Sequence, residues 1–348
     1  MRPLPVFRTA NQRFEREADS LWSGAETNLA EGAPPLLPFV GQKFDGQGDE
    51  VNLWVWQDFR IKAPDDWEML QFSRDPKIGR CAFSDRYERR LEFCWRKAAG
   101  EPDFERMMSD YVSKLRTDSD TKELEFLTQT GKTGPGQWKG FACVHNGKTT
   151  SRYGRYFRDR LTLIETVFVW PNGIDADLEK RVLASVKDER RRADSLERWR
   201  AFGMDLLVSP NLELEACQVK PAFAGMRFTD AKGRIAEDFS RRGMVSDWMR
   251  GSVVEWLRVE KCADVAAASQ KNLEVKGHKL ATISGMARSR GRVSLSGRSR
   301  SCEAAAWICP QDHRLYCVSR LGPRGDERAS PDFPGKRLSC CDRLGRGR

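Results

Sequence analysis

The chain presents the same order of features twice. GRCAFSD at 79–85 and GMRFTDA at 225–231 both run from a glycine to a Phe, a hydroxyl residue and an Asp. Phe228 and Asp230 each lie 145 residues after Phe83 and Asp85. Upstream, Trp199 and Phe202 lie 143 after Trp56 and Phe59, and Pro210 lies 146 after Pro64. Downstream, DHRLYCVSR resembles RDRLTLIET, and KRLSCCD at 336–342 resembles KRVLASVKD at 180–188. The offset drifts from 143 to 156, as surface-loop insertions would make it do. A shared order of this kind predicts a tandem duplication. What recurs is Trp, Phe, Pro, Gly and helix-face apolar residues, which serve the fold rather than one copy's chemistry.

Within a unit, hydrophobic period sets the elements. In VNLWVWQDFRIKAP, Trp54 and Trp56 lie on one side and Val51, Leu53 and Val55 on the other, the pattern of a strand buried on both faces. DDWEMLQF, CAFSD and RRLEFCW supply three more short strands. After Pro102, which suits a first helical turn, Phe104, Met107, Met108, Tyr111, Val112 and Leu115 mark one helix face ending near Arg116. Strands resume at KELEFLTQT, WKGFACVH and YGRYFRDRLTLIETVFVWP. Asp175 can cap a second helix bearing Leu178, Val182, Leu183 and Val186, whose charged far end, KDERRRADSLERWR, reads as a link between domains. In the second half, Ser246 reads as a cap, with Met249, Val253, Trp256 and Leu257 as the helix face. The predicted class is therefore α+β: two tandem units, each a mainly antiparallel sheet with helices packed on it. The expected division is an N-terminal extension and linker at 1–50, a first unit at 51–190 and a second, divergent unit at 197–345.

DFRIKAPDDWEML, AFSD, the helix at 102–116 and LTLIETVFVWP followed by a helix together resemble the PsbP-type α/β/α sandwich, shared by extrinsic photosystem subunits and Ran-binding relatives. The resemblance spans roughly 51–190 and, more weakly, 197–345. It implies a compact, noncatalytic binding domain and places no family functional residue on this chain.

Composition narrows the class of partner. The formal charge is +10, and residues 281–348 hold 14 Lys and Arg against 6 Asp and Glu, so the basic character belongs to the tail. Such a balance favours polyanions nonspecifically. No apolar run reaches the ~18 residues of a spanning helix, and MRPLPVFRTANQRFEREADSLW has no h-region, so neither a membrane span nor a signal peptide is expected. The ten cysteines then read as reduced and mostly buried thiols of a cytoplasmic protein; Cys81 and Cys94 are expected in the core.

Four motifs carry candidate chemistry. ACVHNGKT at 142–149 fits a relaxed phosphate loop, with Lys148 and Thr149 in the cation positions. The segment after it reads as strand, however, and Asn146-Gly147 between strands is a hairpin signal. A nucleotide-binding enzyme using this loop is therefore the lesser alternative. CPQDHRLYC offers Cys309, His313 and Cys317 near Cys302, Cys340 and Cys341. It lacks any C-x-x-C pair, and adjacent Cys340 and Cys341 are expected to point apart, so no metal site is expected. His145, His278 and His313 read as solvated loop residues, and no G-x-S-x-G elbow occurs. Basic residues Arg288, Arg290, Arg292, Arg298 and Arg300, with Arg155, Arg158 and Arg160 interleaved with Tyr153, Tyr156 and Phe157, form the candidate polyanion-binding set; Tyr156, Arg158 and Arg160 are expected on one strand face.

The expectation is a noncatalytic binding, adaptor or assembly protein, with another protein as partner and no cofactor. A nucleic-acid-binding protein is the first alternative.

Overall fold

At the centre of the molecule two β-hairpins meet edge to edge. In one, β1 (Val51–Trp56) and β2 (Phe59–Pro64) are joined by Gln57-Asp58, with φ of 49° and 68°. In the other, β11 (Glu197–Ala201) and β12 (Met204–Val208) are joined by Phe202-Gly203, with φ of 53° and 68°. Two-residue turns with positive φ at both positions match the right-handed twist of the flanking strands. β1 pairs antiparallel with β11. The short strands β10 (Lys187–Asp188) and β20 (Leu338–Ser339) close the two edges, giving the order β10-β2-β1-β11-β12-β20. This computed structural model describes residues 51–122, 125–145, 148–189, 196–275, 277–287, 300–323 and 337–341. The predicted extension at 1–50 lies outside the described residues.

Two seven-stranded antiparallel sheets complete the frame. The first holds β3 (Glu68–Phe72), β4 (Ile78–Ser84), β5 (Arg89–Lys97), β6 (Phe126–Gly134), β7 (Trp138–His145), β8 (Lys148–Phe157) and β9 (Thr162–Trp170), in the order β3-β4-β5-β9-β8-β7-β6. The second holds β13 (Glu213–Lys220), β14 (Phe223–Thr229), β15 (Ala236–Arg242), β16 (Val265–Val275), β17 (His278–Ala287), β18 (Arg300–Ile308) and β19 (Leu315–Pro323), in the order β13-β14-β15-β19-β18-β17-β16. The two orders are the same order.

The correspondence extends to single residues. The two hairpin turns, Trp54 and Trp199, Met69 and Leu214, Phe83 and Phe228, and Asp85 and Asp230 are all 145 residues apart. A β-bulge follows Met69 in one sheet and Leu214 in the other. Trp54 meets Phe83 edge-on with centroids 5.4 Å apart, and Trp199 meets Phe228 edge-on at 5.1 Å. Trp199 thus answers to Trp54, and Ala201 to Trp56, which corrects the 143-residue match drawn from the sequence. Across the centre, Val55 pairs with Arg200, its own counterpart 145 residues on, so a pseudo-two-fold axis passes between them.

Four α-helices are described: α1 (Phe104–Thr121), α2 (Ala176–Ser185), α3 (Val245–Trp248) and α4 (Val253–Lys261). Asp103 caps α1 and Asp175 caps α2. Ser252, not the expected Ser246, caps α4, in a reciprocal capping box with Glu255.

The α+β expectation, with helices packed on each unit's sheet, is corrected by this architecture. The described residues are mostly β, built into three antiparallel sheets, and helix is their minor component. The physical reason lies in the aromatic residues of the central hairpins. Trp54, Trp56, Phe59 and Trp199 bury themselves against Phe83, Phe72, Phe93 and Phe228 of the seven-stranded sheets, so sheet meets sheet where helices were expected. A single hydrophobic cluster runs through both halves, and Trp56–Trp199, 5.2 Å apart, lies on the seam. A second, smaller cluster lies beneath α3 and α4.

Candidate metal centre

In the second half, four ligand-type side chains converge from three separate segments. His278 opens β17 directly after Gly277, whose φ of 80° turns the chain out of β16. Cys309 directly follows β18. Its N–H donates to the Arg314 carbonyl (2.9 Å) and its carbonyl accepts from the His313 N–H (2.9 Å), which fixes the hairpin loop to β19. Cys340 and Cys341 follow β20. His278 and Cys309 are fully buried, and the other two are half-buried.

The ligand atoms of the four residues all lie within 4.8 Å of one another. Cys340 Sγ and Cys341 Sγ are 3.8 Å apart, and His278 Nε2 lies 3.4 Å from the first and 3.5 Å from the second. A tetrahedral ion with zinc's bond lengths requires sulfur–sulfur edges of about 3.8 Å and sulfur–nitrogen edges of about 3.5 Å. A surrounding shell is present too. Trp307 Nε1–H donates to Cys340 Sγ at 3.3 Å, and the N–H groups of Gln311 and Asp312 point at the Cys309 sulfur. Burial, with the Cys309 and Cys341 sulfurs beside it, pushes the Cys340 thiol well up.

The same C-terminal segment inserts a buried charge. Arg337 is fully buried and donates to the Leu207 carbonyl, to Ser209 Oγ (3.1 Å) and to Glu237 Oε2 (2.5 Å). Glu237, also fully buried, accepts from Ser209 N–H and Oγ–H and lies 3.5 Å from Arg320.

The expected site residues fare differently. Arg288, Arg290, Arg292 and Arg298 lie outside the described residues. Arg300 donates to the Gly233 carbonyl at 2.8 Å. Arg155 stacks over Phe157, 4.5 Å from its centroid. Arg158 pairs with Glu101 at 2.6 Å. Arg160 binds Asp188 at 2.6 Å and donates to the Glu189 carbonyl at 3.2 Å. The expected strand face of Tyr156, Arg158 and Arg160 does not form: β8 ends at Phe157, and Arg158–Arg160 form a single 3-10 turn closed by Leu161 at φ 47°.

In the phosphate-loop candidate, His145 pairs with Lys148 across residues 146–147, and Lys148 begins a ten-residue strand. The helix N-terminus that would aim N–H groups at a phosphate is replaced by a hairpin. Of the cysteine motif at 309–317, Cys317 turns to the cluster beneath α4, and His313 sits in the turn at φ 55°. The real partners of Cys309 are His278, expected in a solvated loop, and the Cys340–Cys341 pair, expected to diverge. They converge because the chain has left β20 before Cys340, so strand alternation no longer applies. All ten cysteines are free thiols. Among the described residues no helix is long and apolar enough to cross a membrane.

No known family model matches this chain, and no curated protein matches it.

Proposed function

We propose that the protein is a noncatalytic binding, adaptor or assembly scaffold that acts on another protein in the cytoplasm, where its ten free thiols stay reduced. The observation that carries this reading is that, among the described residues, the buried carboxylates Glu179 and Glu237 and the partly buried Glu165 are each committed to partners within the fold. Glu179 accepts from Tyr153 (2.6 Å), Trp170 (2.8 Å) and Lys132 (3.1 Å). Glu237 is held by Arg337 and Ser209. Tyr111 donates to Glu165 at 3.1 Å. A general acid or base must reach a substrate proton, whereas these carboxylates hold α2, the C-terminal segment and α1 onto the sheets.

The test is capture of the full-length chain, at native abundance, from the cells that make it. A partner should be retained in fixed ratio. It should be lost when exposed apolar residues such as Met244 and Val259 are changed to Asp with the fold intact. A chain that travels alone through the lysate, or that turns over a substrate by itself, overturns the reading.

A further inference from the structure

We propose that His278, Cys309, Cys340 and Cys341 bind one zinc ion that clamps the C-terminal segment to the second seven-stranded sheet. Three thiols and one imidazole are the ligand types that soft, tetrahedral zinc takes in structural sites, where four protein ligands complete the coordination. The three distances of 3.8, 3.4 and 3.5 Å among His278, Cys340 and Cys341 match three of that tetrahedron's six edges, and Cys309 Sγ lies within 4.8 Å of each of the three. Binding is an exchange of protons for metal: three S–H bonds lose their protons to water, three S–Zn bonds and one N–Zn bond form, and the site gains a net charge of −1. Nothing is oxidised or reduced. The Trp307 indole N–H and the N–H groups of Gln311 and Asp312 meet the extra negative charge on sulfur.

The need for such a clamp follows from the segment it holds. Among the described residues, β20 joins the central sheet through the pairs Asp205–Ser339 and Leu206–Leu338, with the Leu207 N–H donating to the Arg337 carbonyl at 2.9 Å beside them. So short a ladder is a weak hold for a segment that inserts a fully buried arginine beside a fully buried carboxylate. Ligands at 278, 309 and 340–341 tie two hairpin ends of the sheet to the residues directly after β20. Ion and buried pair thus hold the two ends of one five-residue stretch, 337–341. The inference is independent of what the scaffold binds.

The experiment uses the full chain, purified reduced from zinc-supplemented cells, with metal content and free-thiol count measured on the same sample. The wild-type chain should carry one zinc per molecule, and its cobalt-exchanged form should show the thiolate charge-transfer absorption of a tetrahedral site. Cys309→Ser and the half-buried, more permissive Cys341→Ser should lose that zinc, whereas Cys217→Ser, at a cysteine outside the cluster, should keep it. Trp307→Phe should weaken zinc affinity roughly tenfold or more. Chelation of the wild type should make Cys340 and Cys341 reactive to a thiol reagent and increase hydrogen exchange at Leu338–Ser339. A folded wild-type chain with far less than one zinc overturns the proposal. So does full retention of zinc by both serine variants, or a mass deficit of two hydrogens that maps to a Cys340–Cys341 disulfide.

Discussion

The two edges of the central sheet occupy equivalent places and are fastened by different chemistry. Lys187 pairs with Arg60 and Ser339 with Asp205, residues 145 apart, so Asp188 and Glu189 stand where the other half has Cys340 and Cys341. Phe157 stands for Cys309 and Arg155 for Trp307, because β8 pairs with β9 as β18 pairs with β19. On the first edge the fastening is ionic: Arg160 with Asp188 at 2.6 Å, and Arg60 and Arg198 each with Glu189 at 3.8 Å. On the second it is a cysteine–histidine cluster plus a buried arginine. The cores differ in step. Phe83 faces Leu91, which faces Phe168; the matching residues Phe228, Glu237 and Arg320 replace an apolar pair with a buried ion pair that Arg337 completes. One backbone plan accepts either solution, so the plan is set by the aromatic seam and the hairpin turns, and the fastenings are free to diverge.

The largest effect is expected where that divergence buries charge. Glu237→Gln leaves Arg337 and Arg320 without their counter-charge and should cost about 3–5 kcal/mol in urea unfolding. Installing the first half's apolar pair, Glu237→Leu with Arg320→Phe, and removing the leftover charge with Arg337→Leu, should recover most of that loss. If the triple variant is no better than the single one, the halves are not interchangeable in this respect. Of similar size, Phe83→Ala and Phe228→Ala should each cost about 3–5 kcal/mol. Because one core spans both halves, both should lower the midpoint of one shared transition; two separated transitions would break the equivalence at the seam. Arg160→Gln should cost only about 0.2–1 kcal/mol, less in high salt, since its ion pair is partly solvated.

The smallest effect is shared by both halves. Desolvation would raise the Asp85 carboxyl, but the N–H groups of Glu88 and Tyr87 and the Arg90 guanidinium outweigh it and hold it below its ordinary value of 3.8. Asp230 is held low in the same way, chiefly by the Ile235 N–H, with burial opposing and the Arg234 N–H and guanidinium adding to the effect. A carboxyl depressed in the folded state stabilises above its unfolded pKa, and that stability is lost as pH falls through the folded value. Asp85→Asn and Asp230→Asn should therefore each flatten the loss of stability below about pH 4 while moving the midpoint little, as measured by acid titration of the unfolding midpoint.

Much of the scaffold was legible because its signals are local. The apolar spacing from Phe104 and the Asp175 cap gave α1 and α2, and the Phe83/Phe228 and Asp85/Asp230 matches gave the recurrence. Ser252 was also there to be read, in the S-x-x-E of SVVE, but the apolar run starting at Met249 drew the cap upstream. The sheet-on-sheet arrangement was hidden because a strand buried on both faces does not say whether helix or sheet covers it. The cysteine–histidine cluster was hidden for a different reason. Its members are scattered over more than sixty residues, with no short paired spacing, and only the topology of β16 to β20 brings them together.

The Val55–Arg200 register has a consequence for ancestry and for protein engineering. A single-copy chain with this edge geometry would present a self-complementary border and close on a second molecule about residue 55, as an isologous homodimer. Joining two such copies in one chain relieves each of identity with its mate. One protomer can then recruit an inorganic rivet while the other keeps its arginines, a division of labour that no symmetric assembly of identical subunits could adopt.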